Sequence, residues 1–140
     1  MDSLFEMYGA NSDLQKNGVW VDFGPCRIKI AYAGDGNPQF EQHMDRAMRP
    51  YRRFLDNSDK FPTPDNIKKK IDEAFARVYA TSVIKDWENV RRGDEEIAYS
   101  VDAATAILME LPPFFTQVRN YAQALENFQD SNFEEDSKNS

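Results

Sequence analysis

The stretch "GVWVDFGPCRIKIAYAG", residues 18–34, constrains the fold more than any other part of the chain. Val19, Val21 and Phe23 alternate with Trp20 and Asp22. Ile28, Ile30 and Tyr32 alternate with Arg27, Lys29 and Ala31, and Gly24-Pro25 separates the two runs. A period of two in β-branched and aromatic residues, broken by a Gly-Pro pair, predicts a β-hairpin. A two-stranded hairpin alone is marginal in water. This one must pack on helices or find another strand.

The helices follow from spacing. Asn37 and Pro38 suit an N-cap and a first helical position. Phe40, Met44, Ala47, Met48, Tyr51 and Leu55 then recur at helical intervals, with Pro50 expected to kink or restart the helix near Arg49. "FPTPDNIKKKIDEAFARVYATSVIKDW" predicts the longest helix, capped by Thr63, with Pro64 and Asp65 in its first turn. Ile67, Ile71, Ala74, Phe75 and Val78 form one stripe. Tyr79, Val83 and Trp87 extend the neighbouring row, which makes Trp87 the last anchor of this helix. "ENVRRGDEEIAYS" reads as a charged connection with a short extended piece at Ile97–Tyr99. Ser100 caps a helix through Leu111. Pro112-Pro113 then opens another, with Phe114, Val118, Tyr121, Leu125 and Phe128 three or four apart. The expected class is α+β, mainly α: an N-terminal β-hairpin packed on about four helices. Residues 1–17 read as a loose arm, 18–128 as one domain, and 129–140 as an acidic disordered tail.

Charge and composition narrow the function. The net charge is -7 over 140 residues, with five acids and one lysine between Glu126 and Ser140. An acidic surface repels phosphate, so nucleic acid is not an expected partner. No stretch approaches the ~20 apolar residues of a membrane span, and "MDSLFEMYGANSDLQ" lacks the pattern of a signal peptide. Cys26 is the only cysteine, which excludes an internal disulfide and fits a reducing compartment. His43 is the only histidine, and it reads as a solvated helix residue. One His and one Cys cannot build the usual zinc sites. No calcium-loop spacing appears, and Gly34-Asp35-Gly36 lacks the rest of a phosphate loop. No enzyme activity, metal or cofactor is expected.

Two groupings stand as candidate sites. Arg46, Arg49 and Arg53 share a helical stripe, with Arg52 beside them. They form either a solvated face paired with Asp45, Asp56 and Asp59, or a dock for an acidic partner, including the chain's own tail. Asp86-Trp87-Glu88 is either the end of a core helix or a partner contact. A buried Trp there needs an acceptor for its indole N–H.

The order of "GVWVDFGPCRIKIAYAG", "MRPYRRF", "VYATSVIKDWENV", "IAYSVDAATAILMELPPFF" and "YAQALENF" resembles the tail assembly chaperones of long-tailed bacteriophages. The resemblance runs from about Gly18 to Phe128. The segment "RRGDEE" departs from the glycine-bearing turn often found before the "YS" in that family. Trp87, Tyr99 and Ser100 are read as structural positions from their place in the chain, not from the resemblance. The resemblance implies a non-enzymatic protein of the host bacterial cytoplasm. Such a protein binds the tape measure protein, keeps it soluble, helps recruit tail tube subunits and is absent from the virion. A frameshifted longer form would carry the tube-binding extension, and self-association would let many copies coat one client. The alternative is a tail completion or connector protein retained in the particle.

Overall fold

A computed structural model describes residues 12–129 of the chain. Its α+β architecture is mainly helical, as the spacing predicts. A short helix α1 (Ser12–Asn17) leads into the hairpin of β1 (Val19–Phe23) and β2 (Cys26–Ile30). Helix α2 (Pro38–Met48) runs into a 3₁₀ turn (Arg49–Tyr51) and a short α3 (Arg52–Asp56). The long α4 (Asp65–Ser82) is followed by β3 (Ile84–Glu88) and a two-stranded ribbon of β4 (Arg91–Arg92) and β5 (Glu95–Glu96). Helices α5 (Val101–Glu110) and α6 (Pro112–Gln123) and a last 3₁₀ turn (Leu125–Phe128) complete it.

The main sheet has the order β1-β2-β3 and is antiparallel throughout. Gly24, at φ 64°, and Pro25 make the two-residue turn, with Phe23 opposite Cys26 and Val19 opposite Ile30. A positive φ followed by proline suits the hairpin turns that match strand twist.

The sheet corrects one expectation. The long helix stops at Ser82, and Trp87 lies on β3, opposite Ile28. The cause is a bulge. Lys29 faces Asp86 and Ile30 faces Ile84, so Lys85 is one residue too many. That surplus residue puts Ile84 and Trp87 on one face at a spacing of three, which imitates a helix.

The core lies between α4 and the sheet, with α5 and α6 closing it. Ile28, Ile30, Ala80, Val83, Ile84 and Leu108 are at most 1% exposed. Tyr79 sits at the centre of an aromatic group, its ring 5.1–5.5 Å from Phe40, Phe75 and Phe115. Burial raises its pKa above the ordinary phenol value, against smaller opposing effects of Gln123 and Arg119.

Asn37 joins three segments. Its side-chain amide donates to the carbonyls of Tyr32 and Ser82, both at 2.9 Å, while its Oδ1 accepts from Phe40 N. It is 1% exposed, so these bonds answer groups that water cannot reach. At the start of α4 the expected cap is absent. Pro64, not Thr63, precedes the helix, and no side chain caps it.

The loose arm expected over 1–17 is helical from Ser12 onward. Gln15 is buried, and its carbonyl accepts from Tyr32 N at 2.9 Å. A Cβ at Gly36 would fall 1.4 Å from Gln15 Oε1, so any larger residue there would displace the buried Gln15 amide. The remainder of that expectation, residues 1–11, lies outside the described residues. So does the tail from residue 130 onward. Among the described residues no helix is long and apolar enough to cross a membrane.

Candidate functional site

Arg46, Arg49 and Arg53, with Arg52 beside them, differ in the partners that they meet. The helical path is broken by a 3₁₀ turn at Arg49–Tyr51, which contains Pro50, and Arg46 is left apart from the other three. Arg49 and Arg52 both reach Asp45, the first at 2.6 Å. The Arg49 hydrogen bond, with the charges of both arginines, holds the Asp45 carboxyl below its ordinary range despite some desolvation. The Arg53 guanidinium lies 5.2 Å from the Phe54 ring centre. Arg46 lines a shallow groove of about 290 Å³ between α2 and α4, together with His43, Arg77 and Thr81. Two of the four guanidiniums thus share one carboxylate within the segment.

His43 is not a fully solvated residue. It is half-buried, and its Nδ1 is 3.0 Å from Ser82 Oγ. Ser82 is fully buried, so the pair braces α2 against the end of α4 and offers no accessible hydroxyl. Among the described residues no group of three or more His, Cys, Asp or Glu side chains could hold a metal ion.

A second site had no signal in the spacing of any single segment. A pocket of about 240 Å³ opens where the hairpin turn meets the α5–α6 corner. Cys26, Ile28, Trp87, Ile107, Leu111 and Phe114 line it, with Arg91 at the rim. Leu111 is 51% exposed because Pro112 and Pro113 start a new helix directly after it. The sequence signal available was that corner: "LMELPPFF" leaves apolar side chains at a bend, where one helix face cannot cover them.

Strand β3 and the chain after β5 build the floor. Trp87 is 6% exposed, and its indole N–H donates to the Ile97 carbonyl at 2.8 Å. Its ring meets Tyr99 edge-on, 5.3 Å between centres. Tyr99 in turn donates its hydroxyl to the Ile84 carbonyl at 2.7 Å. Burial raises the Tyr99 pKa, and the charge of Asp86 adds to it. Ser100 Oγ accepts from Ala103 N and caps α5. The Cys26 thiol donates to the Phe23 carbonyl at 3.2 Å, and burial pushes its pKa up. That disfavours the thiolate, so this cysteine behaves as an apolar wall residue.

The described residues thus define a small α+β fold with an apolar pocket at a helix corner. The lineage is phage-derived. Residues 35–139 match the family described as YdaY prophage protein, and the chain belongs to that family. The matched region begins after the hairpin and takes in the Trp87 strand, the α5–α6 corner and most of the acidic tail. No curated protein and no solved structure matches the chain.

Proposed function

We propose that this prophage protein is a tail assembly chaperone that binds the tape measure protein and keeps it soluble in the host cytoplasm. The apolar pocket beside Leu111 carries the reading. A helical client is commonly held by laying its apolar face into such a concavity. The pocket has room for an apolar anchor, and the half-exposed Leu111 extends its lip. The prophage family and the ordered resemblance to tail chaperones support the same assignment. The protein acts by binding and not by catalysis. Tube subunits are recruited through a longer, frameshifted product.

The test is co-expression with the tape measure protein encoded nearby. The pair is expected to co-purify, and Leu111→Glu is expected to abolish that while the melting temperature holds. A surface change of this kind costs within about 0.5 kcal/mol. If the proteins neither associate nor alter the client's solubility, the proposal fails. Detection of the chain in purified virions by mass spectrometry would favour a structural tail subunit instead.

A further inference from the structure

The two edges of the main sheet are treated differently by the chain. On β3 two outward groups are taken. The Trp87 N–H donates to Asp86 Oδ1 at 2.8 Å, and the Ile84 carbonyl accepts from Tyr99. On β1 nothing comparable is present. In an antiparallel hairpin closed by Phe23 and Cys26, alternate residues direct their backbone groups away from the partner strand. Here those residues are Trp20 and Asp22. Their outward N–H and C=O groups make no hydrogen bond among the described residues. The strand "VWVDF" has no lysine, proline or bulge to blunt that edge, and Asp22 is its one charged side chain.

Burial points the same way. Val19, Val21 and Phe23 face the core, yet all three are only half-buried, whereas Ile28 and Ile30 beside them are at most 1% exposed. The row needs a neighbour in the plane of the sheet.

We infer that β1 pairs with β1 of a second copy, antiparallel about a two-fold axis at Val21, to give a six-stranded sheet. The register is self-complementary. Trp20 lies opposite Asp22 of the second copy and exchanges both backbone bonds with it, and the reverse pair does the same. All four outward groups of each strand are then used. Val21 meets its own copy as the closer, non-hydrogen-bonded pair, and Val19 meets Phe23, so the apolar row becomes continuous. Charge permits the match. Asp22 is already met by Arg27 at 3.4 Å, and Arg27 also lies 5.0 Å from the Trp20 ring centre. No like charges face each other across the axis. A five-residue pairing is small, so the dimer is weak and depends on concentration. It rests on the edge geometry and not on the chaperone reading.

The experiment uses the full chain with Cys26→Ser, into which single cysteines are placed. Under mild oxidation Val21→Cys is expected to form a disulfide-linked dimer, because that pair alone meets its own copy. Val19→Cys is expected to cross-link at least tenfold less by itself, yet to pair with Phe23→Cys when the two are mixed. Sedimentation of the unsubstituted chain is expected to show a monomer–dimer equilibrium. Trp20→Pro removes one outward donor without touching the hairpin ladder, and should shift that equilibrium to monomer while the Ile28 and Ile30 amides stay protected. Equal cross-linking at Val19 and Val21 would overturn the inference. So would a monomer at millimolar concentration, or slow exchange of the Trp20 and Asp22 amides in a dilute monomer, which would mean that residues 1–11 cover the edge. Protection of those amides only in the presence of client, without dimer, would assign the edge to the client and also overturn it.

Discussion

Segments 84–99 and 46–61 are equally rich in aromatic and charged residues, but the chain uses them in opposite ways. In the first, Trp87 and Tyr99 bond to backbone carbonyls and lie against each other. In the second, α2, the 3₁₀ turn and α3 bury no residue fully, and Leu55 and Phe61 are 42% and 68% exposed. The difference is a neighbour. β3 has β2 on one side and the Ile97–Tyr99 strap on the other. After Pro50 no element among the described residues packs closely on the Arg52–Asp56 helix to receive its apolar face. A hydrophobic period becomes core only where another element faces it.

Substitutions should separate the two regions, and the largest effect is expected at Trp87. Trp87→Ala is expected to cost about 3–5 kcal/mol in urea unfolding. A change under about 1 kcal/mol would mean that the indole is not a core group. Asn37→Ala comes next, at about 2 kcal/mol, since it strands two buried carbonyls. Tyr99→Phe should cost about 1 kcal/mol by leaving the Ile84 carbonyl without its donor.

The same residue sets a pH test. Burial raises the folded-state pKa of Tyr99 above its ordinary value of about 10, and that of Tyr79 likewise. A raised pKa means that the protonated form is favoured on folding. That stability is complete below the unfolded pKa and is lost as pH rises through the folded one. The urea midpoint should therefore fall on the alkaline side of pH 10, with a shallower fall in Tyr99→Phe. The smallest effect is expected in the other region. Asp45→Asn should barely move the melting temperature, and raising the salt should erase the difference, because Arg49 and Arg52 are more than half exposed and Asp45 is 48% exposed. A large loss there would show that the arginine segment is held more firmly than its exposure implies.

Much of the fold could be read in the sequence. The hairpin was legible because each strand has a clean period of two and a Gly-Pro break. Asn37 and Ser100 were legible as caps because their side chains bond locally. Trp87 was misplaced because its spacing from Val83 satisfies a helix. Only the long-range pairing with Ile28 and Ile30 makes it a strand. The arginine spacing assumed a uniform helix, and the 3₁₀ turn at Arg49–Tyr51 interrupts it. Only the α5–α6 corner of the apolar pocket could be read from one segment, since its other walls come from the hairpin turn and β3.

The bulge at Lys85 bears on how much length the strand can lose. Between Ile84 and Trp87 the chain spends two residues where a plain strand spends one. Deleting Lys85 would leave Ile84 and Trp87 as ordinary next-but-one neighbours, still on the core face, at the cost of the Lys85 bond to Gln39 Oε1. Such a variant is expected to fold with the buried fluorescence of Trp87 intact, and a red-shifted, solvated tryptophan would show otherwise. The segment then has a spare letter, and that one letter makes a strand spell like a helix.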